Sequence, residues 1–443
     1  MKIVIVGGVA AGMSAAAKIK RTSPDAEVVV YEKGGFLSYG ACGLPYYVSG
    51  VNDDWRKLIA RTREEFERSG IRTFLRHEVV KVAPDRKQIM VKNLEQGSLF
   101  LDSYDKLMIA VGAAPIVPDV PGIRLPGVHL LKTMEDGLAL KEAAASSALR
   151  DVVIIGGGAI GLEAAEAMVH LGKRVRVVEL ADRILPPFDP EITEPVTEEL
   201  QRQGVSLHLA ERLTEIAGAG RVERVRTNRG EYPADLVILA TGVRPATGFL
   251  AGSGIRLAPN GAIYIDREMR TNIPDVYAAG DCAVVYHRVM EEDTYIPLGT
   301  TANKMGRLAG GNMLGRHDKF VGTLGSAAIK VFDLELGRTG LSEADAKRLA
   351  IDYGTAVVEA MDHPAYYPNP TPIRFKLIYD KETKTLLGAQ GVGAKGVVLR
   401  INLFAVAIHN RMSARELGMV DLCYAPPFSG VWDAVHIACN AVK

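Results

Sequence analysis

One pattern occurs twice in the 443-residue sequence. Residues 2–21, KIVIVGGVAAGMSAAAKIKR, and residues 151–170, DVVIIGGGAIGLEAAEAMVH, each join a β-branched apolar run to a glycine-rich turn and an alanine-rich stretch. This order predicts a strand, a tight turn and a helix in both places. The duplication therefore favours an α/β fold with two Rossmann-like domains.

An acid follows each copy at a similar distance. A second apolar run ends at Glu32 in the first copy and at Glu179 in the second, 20 residues after Gly12 and 18 residues after Gly161. The turn glycines let the backbone approach a pyrophosphate at the helix N-terminus, and the acid hydrogen-bonds the adenosine ribose. The sequence thus predicts two dinucleotide sites, although the first turn has Val9 at its middle glycine position.

Composition excludes several other classes of protein. The formal net charge of +1 provides no field that would attract nucleic acid or an anionic membrane. No apolar run reaches the roughly 18 residues that a membrane helix needs. The four cysteines, Cys42, Cys282, Cys423 and Cys439, have neither paired nor metal-ligand spacing. We therefore expect a cytoplasmic protein without a metal, whose partners are small molecules.

Two dinucleotides in one chain indicate an electron relay from a nicotinamide donor to a flavin acceptor. TNIPDVYAAGDCAVV places Asp281 after an apolar strand, where a carboxylate can bind the flavin ribityl chain. YDKLMIAVGAAP and ADLVILATGVRP are two crossings between domains, and strands followed by apolar helices from residue 325 form an α+β module. We predict an FAD-binding domain of residues 1–113 and 245–324, an NAD(P)H-binding domain of residues 114–244 and a third domain of residues 325–443.

Together these segments resemble the flavoprotein disulfide reductases with two dinucleotide sites, across nearly the whole chain. The stretch SYGACGLPYY resembles the single-cysteine branch of that family, because Leu37 and Tyr47 stand five residues before and after Cys42, where a second cysteine would be. This branch contains NADH peroxidases, NADH oxidases and coenzyme A disulfide reductases. The resemblance implies that the sulfur of Cys42 cycles through a sulfenic acid or a mixed disulfide.

Two further comparisons favour the coenzyme A disulfide reductases. The first turn has Ala10 and Ala11 where the peroxidases and oxidases carry a histidine. HPAYYPNPTP and CYAPPFSGVWD resemble the tyrosine motifs of the coenzyme A disulfide reductases. They imply that Tyr366 and Tyr424 are a catalytic pair, with Tyr367 as the alternative to Tyr366. A phenol is a neutral hydrogen-bond donor near neutral pH and suits a thiolate.

The resemblance also implies which residues bind each ligand, and that the third domain is the dimerisation domain of a homodimer whose tyrosines act in the partner's site. Glu179 favours NADH, because the 2′-phosphate of NADPH would meet a like charge, while the nearby Arg183 weakens that preference. The implied FAD residues are Gly7, Gly8, Ala11, Gly12, Glu32, Lys33, Gly112, Asp281 and Ala302. The implied NADH or NADPH residues are Gly156, Gly158, Ile160, Gly161, Glu163, Glu179 and Gly242. The implied coenzyme A residues are Ser14, Lys18, Arg21, Ser38 and Asn303.

The implied activity is the FAD-dependent reduction of coenzyme A disulfide by NAD(P)H through Cys42. We expect a low thiol pKa from a helix that starts near Pro45, from the flavin and from Tyr424. Ala41 and Trp432 replace a polar and a basic residue of the family pattern, so a persulfide, a polysulfide or another small disulfide is an alternative acceptor. NADH oxidase or peroxidase activity is a further alternative, as is an electron-transfer flavoprotein with a silent cysteine.

Overall fold

The computed structural model describes residues 1–443, and both duplicated segments form a strand, a turn and a helix. The strands of the first 245 residues are β1 Lys2–Val6, β2 Glu27–Tyr31, β3 Ile71–Phe74, β4 His77–Ala83, β5 Gln88–Asn93, β6 Leu99–Ser103, β7 Lys106–Ile109, β8 Ala113–Pro115, β9 Val128–Leu130, β10 Asp151–Ile155, β11 Arg174–Val178, β12 Ser206–His208, β13 Leu213–Ala217, β14 Arg224–Thr227, β15 Glu231–Pro233, β16 Leu236–Leu239 and β17 Val243–Pro245. The helices are α1 Ala10–Thr22, α2 Leu44–Ser49, α3 Arg63–Arg68, α4 Met134–Ala144, α5 Ala159–His170 and α6 Pro190–Arg202.

The rest of the chain adds eight strands and five helices. The strands are β18 Val276–Ala278, β19 Val285–His287, β20 Glu292–Thr294, β21 Ala327–Val331, β22 Leu334–Gly340, β23 Tyr353–Met361, β24 Pro372–Asp380 and β25 Leu386–Gly393. The helices are α7 Gly299–Asn312, α8 Glu343–Arg348, α9 Val397–His409, α10 Ala414–Leu417 and α11 Ala434–Asn440. Short 3₁₀ turns lie at Ala41–Gly43, Trp55–Leu58, Pro84–Arg86 and Gly248–Leu250.

The first sheet is parallel and has the order β18-β7-β1-β2-β3. The side chains of β1 from Ile3 to Val6 are buried, as expected for a parallel strand covered on both faces. Val6 pairs with Tyr31, and the N–H of Gly7 donates to the carbonyl of Tyr31 at 2.8 Å. This register brings Glu32, the next residue of that strand, to the edge of the glycine turn.

The second sheet repeats this arrangement with the order β12-β11-β10-β16-β9, again parallel. Ile155 pairs with Val178, and the N–H of Gly156 donates to the carbonyl of Val178 at 2.8 Å. Glu179 therefore reaches the second turn by the same register that places Glu32 at the first. Strand pairing and strand length, both set locally, explain why the two copies give one geometry.

The third sheet is antiparallel, with the order β21-β22-β25-β24-β23. Phe375 and Phe404, both fully buried, join β24 to α9 in a separate apolar core. These three sheets confirm the predicted fold class of two Rossmann-like domains and an α+β domain. The residue bounds given for the domains remain a prediction.

Helices α1 and α7 approach closely through small side chains. A Cβ atom at Gly306 would lie 2.2 Å from the carbonyl oxygen of Ala11, and one at Gly310 would lie 2.7 Å from that of Ala15. No residue with a side chain could keep the helices at this separation. The contact places the N-terminal end of α7 beside the first glycine turn, although the two lie far apart in sequence.

Buried ion pairs join the second domain to the third. Lys376 of β24 is 1% exposed, and its ammonium lies 2.9 Å from Glu191 of α6 and 2.7 Å from Glu343 of α8. Lys330 of β21 lies 2.5 Å from the buried Glu166 of α5. Such pairs add little net stability, since desolvation offsets the attraction, but separating one would leave a buried charge unpaired. They therefore fix the orientation of α5 and α6 on the third sheet.

Three further findings concern membrane-spanning helices, metal sites and exposed apolar side chains. No helix in the structure is both long enough and apolar enough to cross a membrane. No group of three or more histidine, cysteine, aspartate or glutamate side chains is arranged to hold a metal ion. The third domain exposes the apolar side chains of Leu399 and Val406 on α9 and of Phe428, Val431 and Trp432 between α10 and α11, which together we name the apolar face. A face of this kind is typical of a protein–protein contact.

Candidate active site

Both glycine-rich turns require glycine at the positions that the motif provides. Gly7 and Gly156 have φ angles of +104° and +113°. A Cβ atom at Gly12 would lie 1.9 Å from the carbonyl oxygen of Gly7, and one at Gly161 would lie 2.0 Å from that of Gly156. The first residues of α1 and α5 therefore pack directly on the turns, with free backbone N–H groups at the helix N-termini.

The two strand-end acids make the same contacts. Glu32 accepts from the N–H of Gly8 at 2.6 Å, and Glu179 accepts from the N–H of Gly157 at 2.5 Å. The second oxygen of each carboxylate accepts from the backbone N–H two residues after the acid, which is that of Gly34 in the first copy and of Ala181 in the second, at 2.7 Å in both. Burial raises the pKa of Glu32 above its ordinary value. Each acid is thus held beside its turn before any nucleotide binds.

The space beside these turns fits the backbone of a dinucleotide. A Cβ atom added at Gly158 or at Gly112 would meet no atom within 4 Å, although Gly112 has a φ of +66°. Open space, helix N-termini and a fixed carboxylate at one edge are what a pyrophosphate and its ribose need. The residues present therefore fit FAD at the first turn and NAD(P)H at the second.

The other predicted FAD residues are spread around the first turn. Gly280 brings Ala11 and Ala302 together, since a Cβ atom at Gly280 would lie 3.1 Å and 3.4 Å from their Cβ atoms. Asp281 follows directly. Lys33 instead points to the surface, where it forms an ion pair with Glu78 at 2.6 Å.

The remaining predicted NAD(P)H residues lie at the second turn and on α5. Ile160 is half-buried in the first turn of α5, and Gly242 follows β16 with a φ of +96°. Glu163 is one helical turn further along α5. Burial and the charge of Glu166 raise the pKa of Glu163 to about 7. This carboxyl can therefore exchange a proton at neutral pH.

Cys42 lies in the 3₁₀ turn Ala41–Gly43, and its side chain is exposed. Helix α2 begins two residues later, at Leu44, close to the predicted start at Pro45. The other exposed thiol is that of Cys423, next to Tyr424. Burial raises the pKa of Cys282 and of Cys439 to about 12, which keeps both of them protonated.

The expectation of a low pKa for the Cys42 thiol is wrong, as far as the groups of the protein itself determine that pKa. Desolvation and the nearby carboxylate of Glu163 raise the pKa of Cys42, and Asp281 adds to this. Lys132 and the backbone N–H of Cys42 lower that pKa but do not compensate. Tyr424 does not contribute within the chain. The thiol therefore lies among charges of both nucleotide domains, and its desolvation is the largest cause of the raised pKa.

Sequence reasoning missed Lys132. This lysine follows β9 and lies 3.6 Å from Asp281, so that the two predicted domains meet in one ion pair close to Cys42. Its only local feature is the capping box that begins at Thr133 and starts α4. That signal predicts a helix start and says nothing of a partner far away in the sequence.

Tyr366 and Tyr424 lie on separate loops of the third domain, and their hydroxyl groups are 2.9 Å apart. Tyr366 is 71% exposed and Tyr424 is 46% exposed. Their hydrogen bond raises the pKa of Tyr366. Tyr367 instead packs edge-on against the ring of His363, with 5.4 Å between the ring centroids. The geometry thus joins Tyr366, and not Tyr367, to Tyr424.

The predicted coenzyme A residues form two groups. Ser14 of α1 donates to the side-chain oxygen of Asn303 of α7 at 2.7 Å, and Lys18 lies one turn along α1 from Ser14. Arg21 is exposed, and its Nε donates to the carbonyl of Ala17 on its own helix. Ser38 is separate from these: its N–H donates to the carbonyl oxygen of Gly8, and its φ is +48°.

A positive φ in a residue other than glycine costs free energy, so the chain around Ser38 is strained beside the first turn. This segment leads directly to Cys42. The strained backbone therefore brings the cysteine turn back to the glycine turn.

Comparisons with known proteins agree with this geometry. The chain is 40% identical to the NAD(P)H sulfur oxidoreductase (CoA-dependent) of Pyrococcus abyssi, over 100% of this chain and 98% of that protein. The structure of reduced Bacillus anthracis CoADR-RHD matches with a TM-score of 0.96 and 36% identity, over 100% of this chain and 80% of that one. The water-forming NADH oxidase of Lactobacillus brevis bound to NADH, and its engineered variant bound to NADPH, each match with a TM-score of 0.96 and 33% identity, over 100% of this chain and 98% of theirs.

Two family models cover most of the sequence. Residues 1–306 match the pyridine nucleotide-disulphide oxidoreductases, and residues 326–435 match the dimerisation domain of the same proteins. FAD and NAD(P)H are the cofactors of this family, in agreement with the two duplicated turns. The two glycine turns and the exposed thiol of Cys42 agree with these matches. The chain therefore belongs to the pyridine nucleotide-disulphide oxidoreductase family.

Proposed function

We propose that the protein uses NAD(P)H and FAD to reduce coenzyme A disulfide, or a related small disulfide or persulfide, through Cys42. The observation that carries this proposal is one exposed thiol whose electrostatic neighbours, Glu163 and Asp281, come from the two nucleotide-binding halves. We therefore propose that the electron pair from the nicotinamide leaves through this sulfur.

The sulfur chemistry needs two steps. The thiolate of Cys42 attacks one sulfur of the disulfide RSSR, forms a mixed disulfide with it and releases RS⁻, which takes up a proton. FAD held at the first glycine turn beside Glu32 would supply the electron pair, drawn from NADH, with which the mixed disulfide breaks into the Cys42 thiolate and a second RS⁻. One NADH and one proton thus convert RSSR into two RSH and NAD⁺.

Glu163 and Lys132 control the thiol in opposite directions. The carboxylate of Glu163 raises the pKa of Cys42, whereas the ammonium of Lys132 lowers it. Because the pKa of Glu163 itself is about 7, this carboxyl can lose its charge by taking up a proton. A protonated Glu163 is neutral and no longer opposes the thiolate of Cys42. We therefore assign Glu163 the role of coupling its own protonation to the ionisation of the thiol.

We assign the tyrosine pair to the leaving thiolate. A phenol that donates to RS⁻ stabilises the charge that develops as the S–S bond breaks. The pair is exposed on the third domain, beside the apolar face that we defined by Leu399, Val406, Phe428, Val431 and Trp432. As the family resemblance implies, we propose that the protein is a homodimer that buries this face and whose Tyr366 and Tyr424 act in the active site of the partner subunit.

The substrate residues follow from the same arrangement. Ser14 and Asn303 are already hydrogen-bonded at one edge of the first turn, and Lys18 and Arg21 continue along α1. Cations in a line suit the phosphates of coenzyme A. Ser38 lies on the other side, four residues before Cys42.

An oxidase activity is the second candidate, because the chain resembles the Lactobacillus brevis NADH oxidase over its whole length. The NADH oxidases and peroxidases that the sequence resembles carry a histidine in the first turn, which can act as a general acid. This chain has Ala10 and Ala11 there, and the titratable group near Cys42 is instead Glu163. The tyrosine pair, which resembles the motifs of the coenzyme A disulfide reductases, favours the reductase.

We also infer a preference for NADH. The engineered relative that binds NADPH replaces an aspartate by alanine and introduces two arginines. Its replaced glycine and aspartate are 18 residues apart, as Gly161 and Glu179 are, and its replaced proline lies 25 residues after the glycine, where this chain has Pro186. Glu179 is thus the acid that would repel a 2′-phosphate. We also propose that the protein is cytoplasmic and that its three domains have the residue bounds predicted from the sequence.

Replacing Cys42 by serine should abolish disulfide reduction, because a hydroxyl neither forms nor breaks an S–S bond. NADH should still reduce the bound flavin. NADH consumption with coenzyme A disulfide, polysulfide, peroxide and oxygen measures the first effect, and bleaching of flavin absorbance measures the second. Cys423→Ser is the matched control and should retain activity. Full activity of Cys42→Ser with any disulfide would refute the sulfur mechanism.

Tyr424→Phe and Tyr366→Phe should each lower kcat for disulfide reduction by about tenfold to a hundredfold, the effect of losing a hydrogen bond to a charged group. Flavin content should not change. Tyr367→Phe, on the same loop, should behave like the wild type. Equal losses at Tyr366 and Tyr367 would show that the loop, and not the hydroxyl pair, matters.

Lys132→Met and Glu163→Gln should move the pKa of Cys42 in opposite directions. Loss of the ammonium raises this pKa, so alkylation of Cys42 by iodoacetamide begins at higher pH, since the thiolate is the reactive form. Loss of the carboxylate lowers the pKa, and alkylation begins at lower pH. The pH profile of the alkylation rate in the holoenzyme measures both. Shifts of the same sign would contradict the assignment.

Glu179→Gln should raise the ratio of kcat/KM for NADPH to that for NADH by at least about tenfold, because it removes a charge that repels the 2′-phosphate. The amide can still accept a hydrogen bond from the turn. Asp182→Asn, an exposed acid three residues on, is the control and should leave the ratio near that of the wild type. An unchanged ratio in Glu179→Gln would show that Glu179 does not set the preference.

A further inference from the structure

A buried arginine joins the two loops that carry the tyrosine pair. Tyr366 lies in residues 362–371, between β23 and β24, and Tyr424 lies in residues 418–433, between α10 and α11. We name these the tyrosine loops. Arg400, on α9, is 8% exposed and lies beneath both of them. We propose that Arg400 is the positioning residue that sets the separation of the two hydroxyls, an inference that rests on the proposed function.

The guanidinium of Arg400 contacts each loop directly. Its Nη2 donates to the carbonyl oxygen of Asp362 at 2.9 Å and to that of Phe428 at 3.2 Å. Its Nε and Nη2 donate to the carboxylate of Asp433 at 2.8 to 3.0 Å. One charged group therefore binds the start of the first loop and both the middle and the end of the second.

Each contact point is tied to a tyrosine by a short path. The N–H of Asp362 donates to the carbonyl of Thr371 at 2.9 Å, and the N–H of Thr371 donates back to the Asp362 carboxylate at 2.7 Å, which closes the loop whose apex is Tyr366. The N–H of Phe428 donates to the carbonyl of Ala425, next to Tyr424, at 2.9 Å. A shift of Arg400 would therefore move both tyrosines.

The hydroxyl pair cannot order these loops by itself. Both tyrosines are largely exposed, and the net gain from one hydrogen bond in water is no larger than the cost of ordering a single residue. The base of the loops, where Arg400 and Asp433 are buried and paired, provides the anchor that both loops share. Lysine could replace the charge but not the planar fork that reaches two carbonyls and a carboxylate at once.

The experiment compares Arg400→Lys with Arg338→Lys in the FAD-bound enzyme. Arg338, on β22, is the matched control: it is also largely buried and donates to the carbonyl of Gly340, but it contacts neither tyrosine loop. Hydrogen exchange measured by mass spectrometry should become faster in both tyrosine loops together in Arg400→Lys, and in neither loop in Arg338→Lys. Exchange in one loop only, or in neither, overturns the inference.

Kinetics test whether the arginine acts through the tyrosines. Arg400→Lys should lower kcat with coenzyme A disulfide by about tenfold to a hundredfold, as a small misplacement of a catalytic group does, and leave the rate of flavin reduction by NADH unchanged. The double variant with Tyr424→Phe should be no slower than the slower single variant. If the fold losses of kcat in the two single variants multiply in the double variant, Arg400 acts independently of Tyr424, and the proposal is overturned.

The exchange readout keeps this inference separate from the proposed function. If the wild type does not reduce any disulfide, the proposed function fails, while faster exchange in both loops would still support the loop contacts of Arg400. If Arg400→Lys does not fold, Asp433→Asn replaces it, because the amide keeps the shape and weakens the same pair. Faster exchange in both loops is again the supporting result, and unchanged exchange overturns the inference.

Discussion

The hydrogen bond between a strand-end carboxylate and the N–H of a turn glycine is the contact on which the rest of this structure depends. It occurs at Glu32 with Gly8 and again at Glu179 with Gly157. Parallel register sets it, since the residue after each second strand must lie beside the turn after the first. The two glycine turns are thereby placed at equivalent edges of two sheets, and charged groups of both nucleotide domains, Glu163 and Asp281, act on Cys42.

Around Cys42 the charges of the two halves oppose each other. Glu163 and Asp281 disfavour the thiolate, and Lys132 favours it while pairing with Asp281. A resting thiol that is mostly protonated reacts little with stray electrophiles. Neutralising Glu163, whose pKa is about 7, removes the largest opposing charge. In the proposed mechanism, the reactivity of Cys42 therefore depends on the protonation of Glu163 and not on a helix N-terminus.

Local spacing explains what could be predicted from the sequence. The duplicated turns, both acids and the fold class follow from residues within about one βαβ unit of each other, the range over which strand and helix patterns act. The tyrosine pair was predicted by resemblance, and only coordinates bring hydroxyls 58 residues apart to 2.9 Å. Lys132, Arg400 and the raised pKa of Cys42 could not be predicted, because each depends on partners outside the local sequence. Those partners come from another domain for Lys132 and Cys42, and from two separate loops of the same domain for Arg400.

Placing the proposed hydrogen-bond donors, Tyr366 and Tyr424, on a separate domain has a physical consequence. Hydride transfer needs a dry, closed contact between two ring systems, whereas a disulfide must enter from solvent and leave as two thiols. Tyr366 and Tyr424 are exposed and depend on Arg400, not on either nucleotide turn, for their position. The acceptor side can therefore change, as the different acceptors named for similar proteins indicate, while the nucleotide side keeps the same register and the same two acids.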